Sequence, residues 1–147
     1  MPDARKLLAK YGQRAKKSWG QNFLVDERAY REIVDACALG AGDWAIEIGA
    51  GLGTLTARLA EAAAHVVAIE RERDMLEILK SELGGDPRIE IVEANALTFD
   101  YPSVAARAGR APVVVGNLPY QIASPILFRL LAVGAYIVWK NLGQNPA

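Results

Sequence analysis

Apolar residues in this chain gather in short runs of three to five, and between the runs they recur every three or four positions, an alternation that predicts strands and helices in turn. The strand-like runs are Trp44 to Ile48, Val66 to Ile69, Ile89 to Val92 and Val113 to Val115. Helical periodicity covers Thr54 to Ala63 and Arg71 to Leu83, the second closed by Gly84-Gly85 and Pro87. Ahead of them Asp26 is placed to cap a helix running to about Leu39, with Tyr30, Ile33, Val34 and Cys37 on one face and charges on the other. Short apolar strands alternating with helices predict an α/β fold, a parallel sheet covered on both faces. No internal repeat, low-complexity tract or linker divides the chain.

Length and composition narrow the class. A chain of 147 residues with 52% apolar content suits one domain with its own core. No long uncharged apolar stretch and no signal-peptide core stand in it, which predicts a soluble, cytoplasmic protein. The lone Cys37 excludes an internal disulfide and a thiolate metal cluster, and its helical position reads as a small buried thiol. His65, the only histidine, opens the second strand and reads as structural. Basic and acidic residues balance at 17 each, but residues 1–19 hold six basic side chains against Asp3, a local charge of +5 that leaves −5 for the rest. Two readings stand for this basic arm: contacts with nucleic-acid phosphates, or a solvated tail.

In open α/β sheets, ligands bind outside the carboxyl ends of the strands. The first strand leads into Glu47-Ile48-Gly49-Ala50-Gly51-Leu52-Gly53-Thr54, a turn whose glycines let a ligand approach the backbone. Its Gly-x-Gly-x-Gly spacing departs from the dinucleotide fingerprint, and a purely structural turn is the other reading. Glu70 ends the second strand, 21 residues beyond Gly49, where a carboxylate can accept both hydroxyls of a ribose or simply favour the start of a helix. Asn95 follows the third strand, with an amide suited to an adenine edge or to a turn. Together these strand ends predict an adenosine-containing ligand.

The fourth strand ends in Asn117-Leu118-Pro119-Tyr120. The Asn117 side-chain oxygen and the Leu118 carbonyl can accept the protons of an exocyclic amine and aim its lone pair. Pro119 fixes its own φ and holds Leu118 extended. Tyr120 offers a face for a base to stack on, worth about 1–3 kcal/mol. A nicotinamide-dependent dehydrogenase would use the glycine turn and Glu70 but would leave these four residues without a purpose.

Five motifs in order resemble the ribosomal RNA small-subunit adenine-N6,N6-dimethyltransferases. They are Gly20-Gln21-Asn22-Phe23-Leu24, Glu47 to Thr56, Glu70, Ala94-Asn95-Ala96-Leu97, and Asn117 to Tyr120 followed by Ile122-Ala123-Ser124-Pro125-Ile126. The resemblance spans about Lys16 to Leu131. It implies a Rossmann-like methyltransferase fold that uses S-adenosyl-L-methionine, with Asn22, Leu24, Gly49, Gly51, Glu70, Asn95 and Asn117 at the cofactor and Asn117, Leu118, Pro119 and Tyr120 at the target adenine. The implied reaction is dimethylation of two adjacent adenines near the 3′ end of small-subunit ribosomal RNA, by a monomer acting on the RNA or the assembling subunit without metal or membrane. Other adenine-N6 methyltransferases and a non-catalytic assembly factor are the rival functions. The related macrolide-resistance enzymes usually carry Ile where this chain has Leu118, and the family usually carries Asp where it has Asn95.

Residues 1–25 are expected to form a basic arm and cofactor-covering segment, and residues 26–147 a partial catalytic domain. After Leu131 the family pattern fades. At most one further strand, Tyr136 to Trp139, is expected, with the sheet incomplete at the C-terminus, an unprotected edge and the family's helical RNA-binding domain absent.

Overall fold

A computed structural model of the chain describes residues 4–13, 27–116, 118, 120–132 and 136–137. Within them the strands are β1 (Trp44–Ile48), β2 (His65–Glu70), β3 (Ile89–Glu93), β4 (Val113–Gly116) and β5 (Tyr136–Ile137). The helices are α1 (Ala4–Lys10), α2 (Glu27–Cys37), α3 (Thr54–Ala62), α4 (Arg73–Leu83), α5 (Tyr101–Ala108) and α6 (Tyr120–Ala132). All strand pairs are parallel, in the order β3-β2-β1-β4-β5. The chain winds outward from β1 through β2 to β3, then returns to the other side of β1 as β4. The loops after β1 and β4 therefore diverge, and a crevice opens at their carboxyl ends.

Alternation along β2 shows why both faces must be covered. Val66 and Ala68 face one layer and Val67 and Ile69 the other, all four buried. On the first face, Tyr30, Ile33 and Cys37 of α2 and Leu55 and Leu59 of α3 pack over Ala45, Val66 and Val115. Helix α4 joins through Leu79 on Ala68. On the second, Tyr101 and Val104 of α5 and Ile126 and Leu130 of α6 cover Ile46, Ile48, Val67, Ile69 and Val114. The α/β expectation holds, and Cys37 is a buried core thiol whose pKa burial raises to about 11.

Element ends differ from the expected ones for local reasons. Helix α2 stops at Cys37 because Ala38 turns left-handed, at φ 48°. Helix α4 starts at Arg73 because the Arg71 and Glu72 amides turn back to the Glu70 carboxylate. Helix α5, which the periodicity does not announce, starts where Asp100 Oδ1 accepts the Ser103 N–H at 3.2 Å. The expected Asp26 cap and Val138 and Trp139 of the last strand lie outside the described residues.

Residues 4–13 are no solvated tail. Leu7 and Leu8 are buried against Leu52, Met75 and Ile78, and Glu82 Oε1 accepts from both Lys10 Nζ and Tyr11 Oη at 2.6 Å. The arm thus begins as a helix docked on the glycine turn and α4.

Gly53 ties the turn to this packing. Its φ is +85°, and a Cβ there would stand 2.6 Å from Leu83 Cδ1 and 2.7 Å from Leu79 Cδ1. Gly53→Ala is expected to lose about 1–3 kcal/mol of stability through left-handed strain and crowding. Urea unfolding checks this: the midpoint should fall at constant slope, and an unchanged midpoint refutes it.

Candidate functional site

The glycine turn is stitched to the end of β2. Ile69 O accepts the N–H of Gly49 at 2.9 Å and of Ala50 at 3.0 Å, and Glu70 Oε1 accepts the N–H of Gly51 at 2.9 Å. Gly51 sits at φ 57°, a conformation that points its amide back at the carboxylate and suits a residue with no Cβ. Glu70 Oε2 takes two more backbone donors, Arg71 N at 2.7 Å and Glu72 N at 3.0 Å. The side chain is buried, with 7% of its surface exposed. Three amides hold one carboxylate, which has room for about one further donor. Of the two readings of Glu70, the geometry shows the one in which it organises the start of α4.

Asn95 lies two residues beyond β3. Its Oδ1 accepts the Leu97 N–H at 2.9 Å, a side-chain turn that orients the amide. What it still offers a ligand is its NH2 group and one lone pair on the oxygen. Among the described residues Leu97 is the large apolar side chain with the greatest exposure, 40%, and it stands beside this turn.

At the end of β4, a Cβ on Gly116 would come within 2.8 Å of Ile48 O, so glycine lets β4 close on β1 just before the Asn-Leu-Pro-Tyr motif. Leu118 is half-buried and packs on the α5–α6 face. Tyr120 opens α6. Asn22, Leu24, Asn117 and Pro119 lie outside the described residues. The residues expected at three strand ends, Gly49 and Gly51, Glu70, and Asn95, share the carboxyl edge of β1, β2 and β3.

Sequence reasoning assigned no role to Glu47, although an acid inside Trp44-Ala-Ile-Glu-Ile is the signal that could have marked it. It is 2% exposed, and its Oε1 accepts from the Thr56 hydroxyl in the first turn of α3. Burial pushes its carboxyl up to about 8, the Thr56 hydrogen bond opposes this, and the nearby Glu70 adds to it. Thr54, the other threonine of that turn, pairs with the Tyr30 hydroxyl at 2.7 Å. Both hydroxyls are turned to neighbouring elements, and α3 has no side-chain cap: its N-cap is Gly53. A helix start leaves the amides of Thr54, Leu55 and Thr56 without intrahelical acceptors, open to water or a ligand.

His65 is structural, its ring 4.4 Å from that of Trp44 and its Nε2 3.4 Å from Glu90, at the opposite end of the sheet from the crevice. Among the described residues no group of three His, Cys, Asp or Glu side chains could hold a metal ion, and no helix is long and apolar enough to cross a membrane.

Comparison with known proteins then decides the family. The model for ribosomal RNA adenine dimethylase matches residues 12–142. The chain belongs to the ribosomal RNA adenine dimethylase family. Ribosomal RNA small subunit methyltransferase A of Anaeromyxobacter sp. (strain K) is 50% identical to it over 144 residues, which cover 92% of this chain and 50% of that protein. The crystal structure of the 23S rRNA methyltransferase ErmE is similar with a TM-score of 0.69 and 32% identity, covering 79% of this chain and 45% of that one. A dimethyladenosine transferase from Plasmodium falciparum follows at a TM-score of 0.62 and 28% identity, covering 73% and 37%. The fold is the Rossmann-like methyltransferase fold of this family. The chain spans about half the length of the curated relatives it matches.

For this member of the dimethylase family, Glu47 makes stability depend on pH. Folding raises its pKa from 4.5 to about 8, so the folded state holds the proton more tightly and stability is lost as pH rises through that window. Relative to Glu47→Gln, the ligand-free protein should lose on the order of 1 kcal/mol per pH unit between those limits. Parallel unfolding curves from pH 5 to pH 8.5 read this difference, and a constant gap between the two proteins would refute it.

Proposed function

We propose that this chain carries the methyltransferase part of an enzyme that dimethylates N6 of two adjacent adenines near the 3′ end of small-subunit ribosomal RNA, with S-adenosyl-L-methionine as methyl donor. The observation that carries the reading is the row of complementary groups along the strand ends. In sheet order it runs from Asn95 at β3, through Glu70 at β2 and the glycine turn and α3 amides at β1, to the Asn117 motif after β4. Adjacent strands lie about 4.8 Å apart, so four ends span about 14 Å, the reach of an extended nucleoside joined to an amino acid.

The residues fit that donor. Asn95 offers an amide to the adenine, and the prealigned Glu70 carboxylate has room for one ribose hydroxyl. The uncapped amides of α3 suit the α-carboxylate, and the buried Glu70 carboxylate suits a ligand that also bears positive charge. Bound there, S-adenosylmethionine supplies a methyl group already activated on a sulfonium. Asn117 Oδ1 and the Leu118 carbonyl accept the protons of the target amine and direct its lone pair, while Tyr120 stacks on the base. Most of the rate gain then comes from alignment, a contribution that reaches about 7–11 kcal/mol.

Residues 1–25 serve as a basic, cofactor-covering arm, and residues 26–147 as a partial catalytic domain. The partner is the ribosomal RNA within the assembling small subunit, met in the cytoplasm by a monomer without metal or membrane.

Incubation with labelled S-adenosylmethionine and unmethylated small subunits tests the proposal. Label in dimethyladenosine supports it, whereas binding without transfer points to an assembly factor and overturns it. A second expected outcome concerns Asn95→Asp. One oxygen of the new carboxylate keeps the Leu97 N–H, and the other becomes a charged acceptor for the adenine amine. Equilibrium titration should show tighter binding of the methyl donor, and an unchanged constant would defeat that assignment.

A further inference from the structure

The first turn of α3 is held from outside by a small network that shares only Thr54 with the crevice motifs. Arg58 is its hub. Its Nε donates to Glu27 Oε1 at 2.9 Å, its Nη2 donates to Glu27 Oε2, and its Nη1 donates to the Thr54 carbonyl. The guanidinium lies over the Tyr30 ring, 4.5 Å from the centroid, and the Tyr30 hydroxyl meets Thr54 Oγ1 at 2.7 Å. Glu27 and Tyr30 both belong to the first turn of α2, while Thr54 and Arg58 belong to the start of α3.

The places joined are what give the network a purpose. Glu27 is the first residue of α2, directly after the 14–26 segment that carries Gln21-Asn22-Phe23-Leu24. Thr54 is the first residue of α3, directly after Gly49 to Gly53. Apolar packing of Ile33 and Cys37 against Leu59 would by itself join the two helices. Tyr30 and Leu55 carry that packing into the first turns, where the directional bonds of Arg58 add to it. The Arg58 side chain is 20% exposed and Glu27 61%, so the packed face of the guanidinium on Tyr30 and its bond to Thr54 O hold the turn more firmly than the rim ion pair does.

We propose that Glu27, Tyr30 and Arg58 are positioning residues that fix the first turn of α3 against the start of α2, and through it the fit of the amino-acid end of the methyl donor. The proposal rests on the chain binding S-adenosylmethionine. None of the three residues touches the ligand. They act by holding the amides of the first turn of α3 in the direction from which a carboxylate is met, while the adenosine end, at Glu70 and Asn95, is held by hydrogen bonds that do not involve them.

That division supplies the test. S-adenosylhomocysteine carries both ends of the donor, and 5′-methylthioadenosine lacks the amino-acid end. In Arg58→Ala the dissociation constant for S-adenosylhomocysteine should rise about threefold to tenfold, with that for methylthioadenosine held within about twofold. Tyr30→Phe keeps the packing and removes the bond to Thr54, and should shift the same ligand in the same direction by a smaller factor. If both ligands weaken equally, the network is merely structural and the inference falls. If neither changes in either variant, it falls as well. Wild-type protein that binds neither ligand would instead remove the cofactor reading itself, and the positioning role with it.

Discussion

Three backbone amides converge on the Glu70 carboxylate, and the shape of the crevice depends on that convergence. One donor, from Gly51, belongs to the turn after β1, and two, from Arg71 and Glu72, belong to the turn before α4. A single side chain therefore fixes two loops relative to each other. Hydrogen bonds to a charged acceptor contribute about 1.5–3 kcal/mol each, and a buried amide left without one costs a comparable amount. The parallel register from Trp44↔His65 to Ile48↔Ile69 carries Glu70 to the height of the glycine turn, so sheet and crevice are one construction.

A second acid, Glu47, lies one strand away on β1 in a different environment. Glu70 is surrounded by amides, whereas Glu47 is enclosed on the α2–α3 face with the Thr56 hydroxyl as its donor. Burial keeps Glu47 protonated up to about pH 8. Two carboxyls at adjacent strand ends thereby take different roles, one organising loops and the other storing a proton beneath α3.

Around this centre the elements from the start of the chain are fastened rather than loosely attached. Helix α1 docks Leu7 and Leu8 on Leu52, inside the glycine turn, and α2 grips the first turn of α3 through Arg58. The basic character of residues 1–19 suggests a polar, detached arm. The leucine pair at its middle outweighs that impression, since two buried leucines contribute several times what a surface ion pair such as Lys10–Glu82 returns.

The sequence alone determined the alternation of elements, the parallel sheet and which residues stand at the strand ends, because these follow from local periodicity, from glycines and from turn residues. Trp44 to Ile48 is a strand as its apolar run demands, and Asn95 makes the turn its amide allows. Residue patterns could also nominate Glu70, since an acid at the end of an apolar strand is visible without a fold. What only the tertiary structure decided are the pairings between distant residues: Thr56 on Glu47, Arg58 on Glu27 and Tyr30, Glu82 on Lys10 and Tyr11, and Leu7 on Leu52. No local pattern encodes them, because a donor on a helix chooses its acceptor only after packing has brought two faces together.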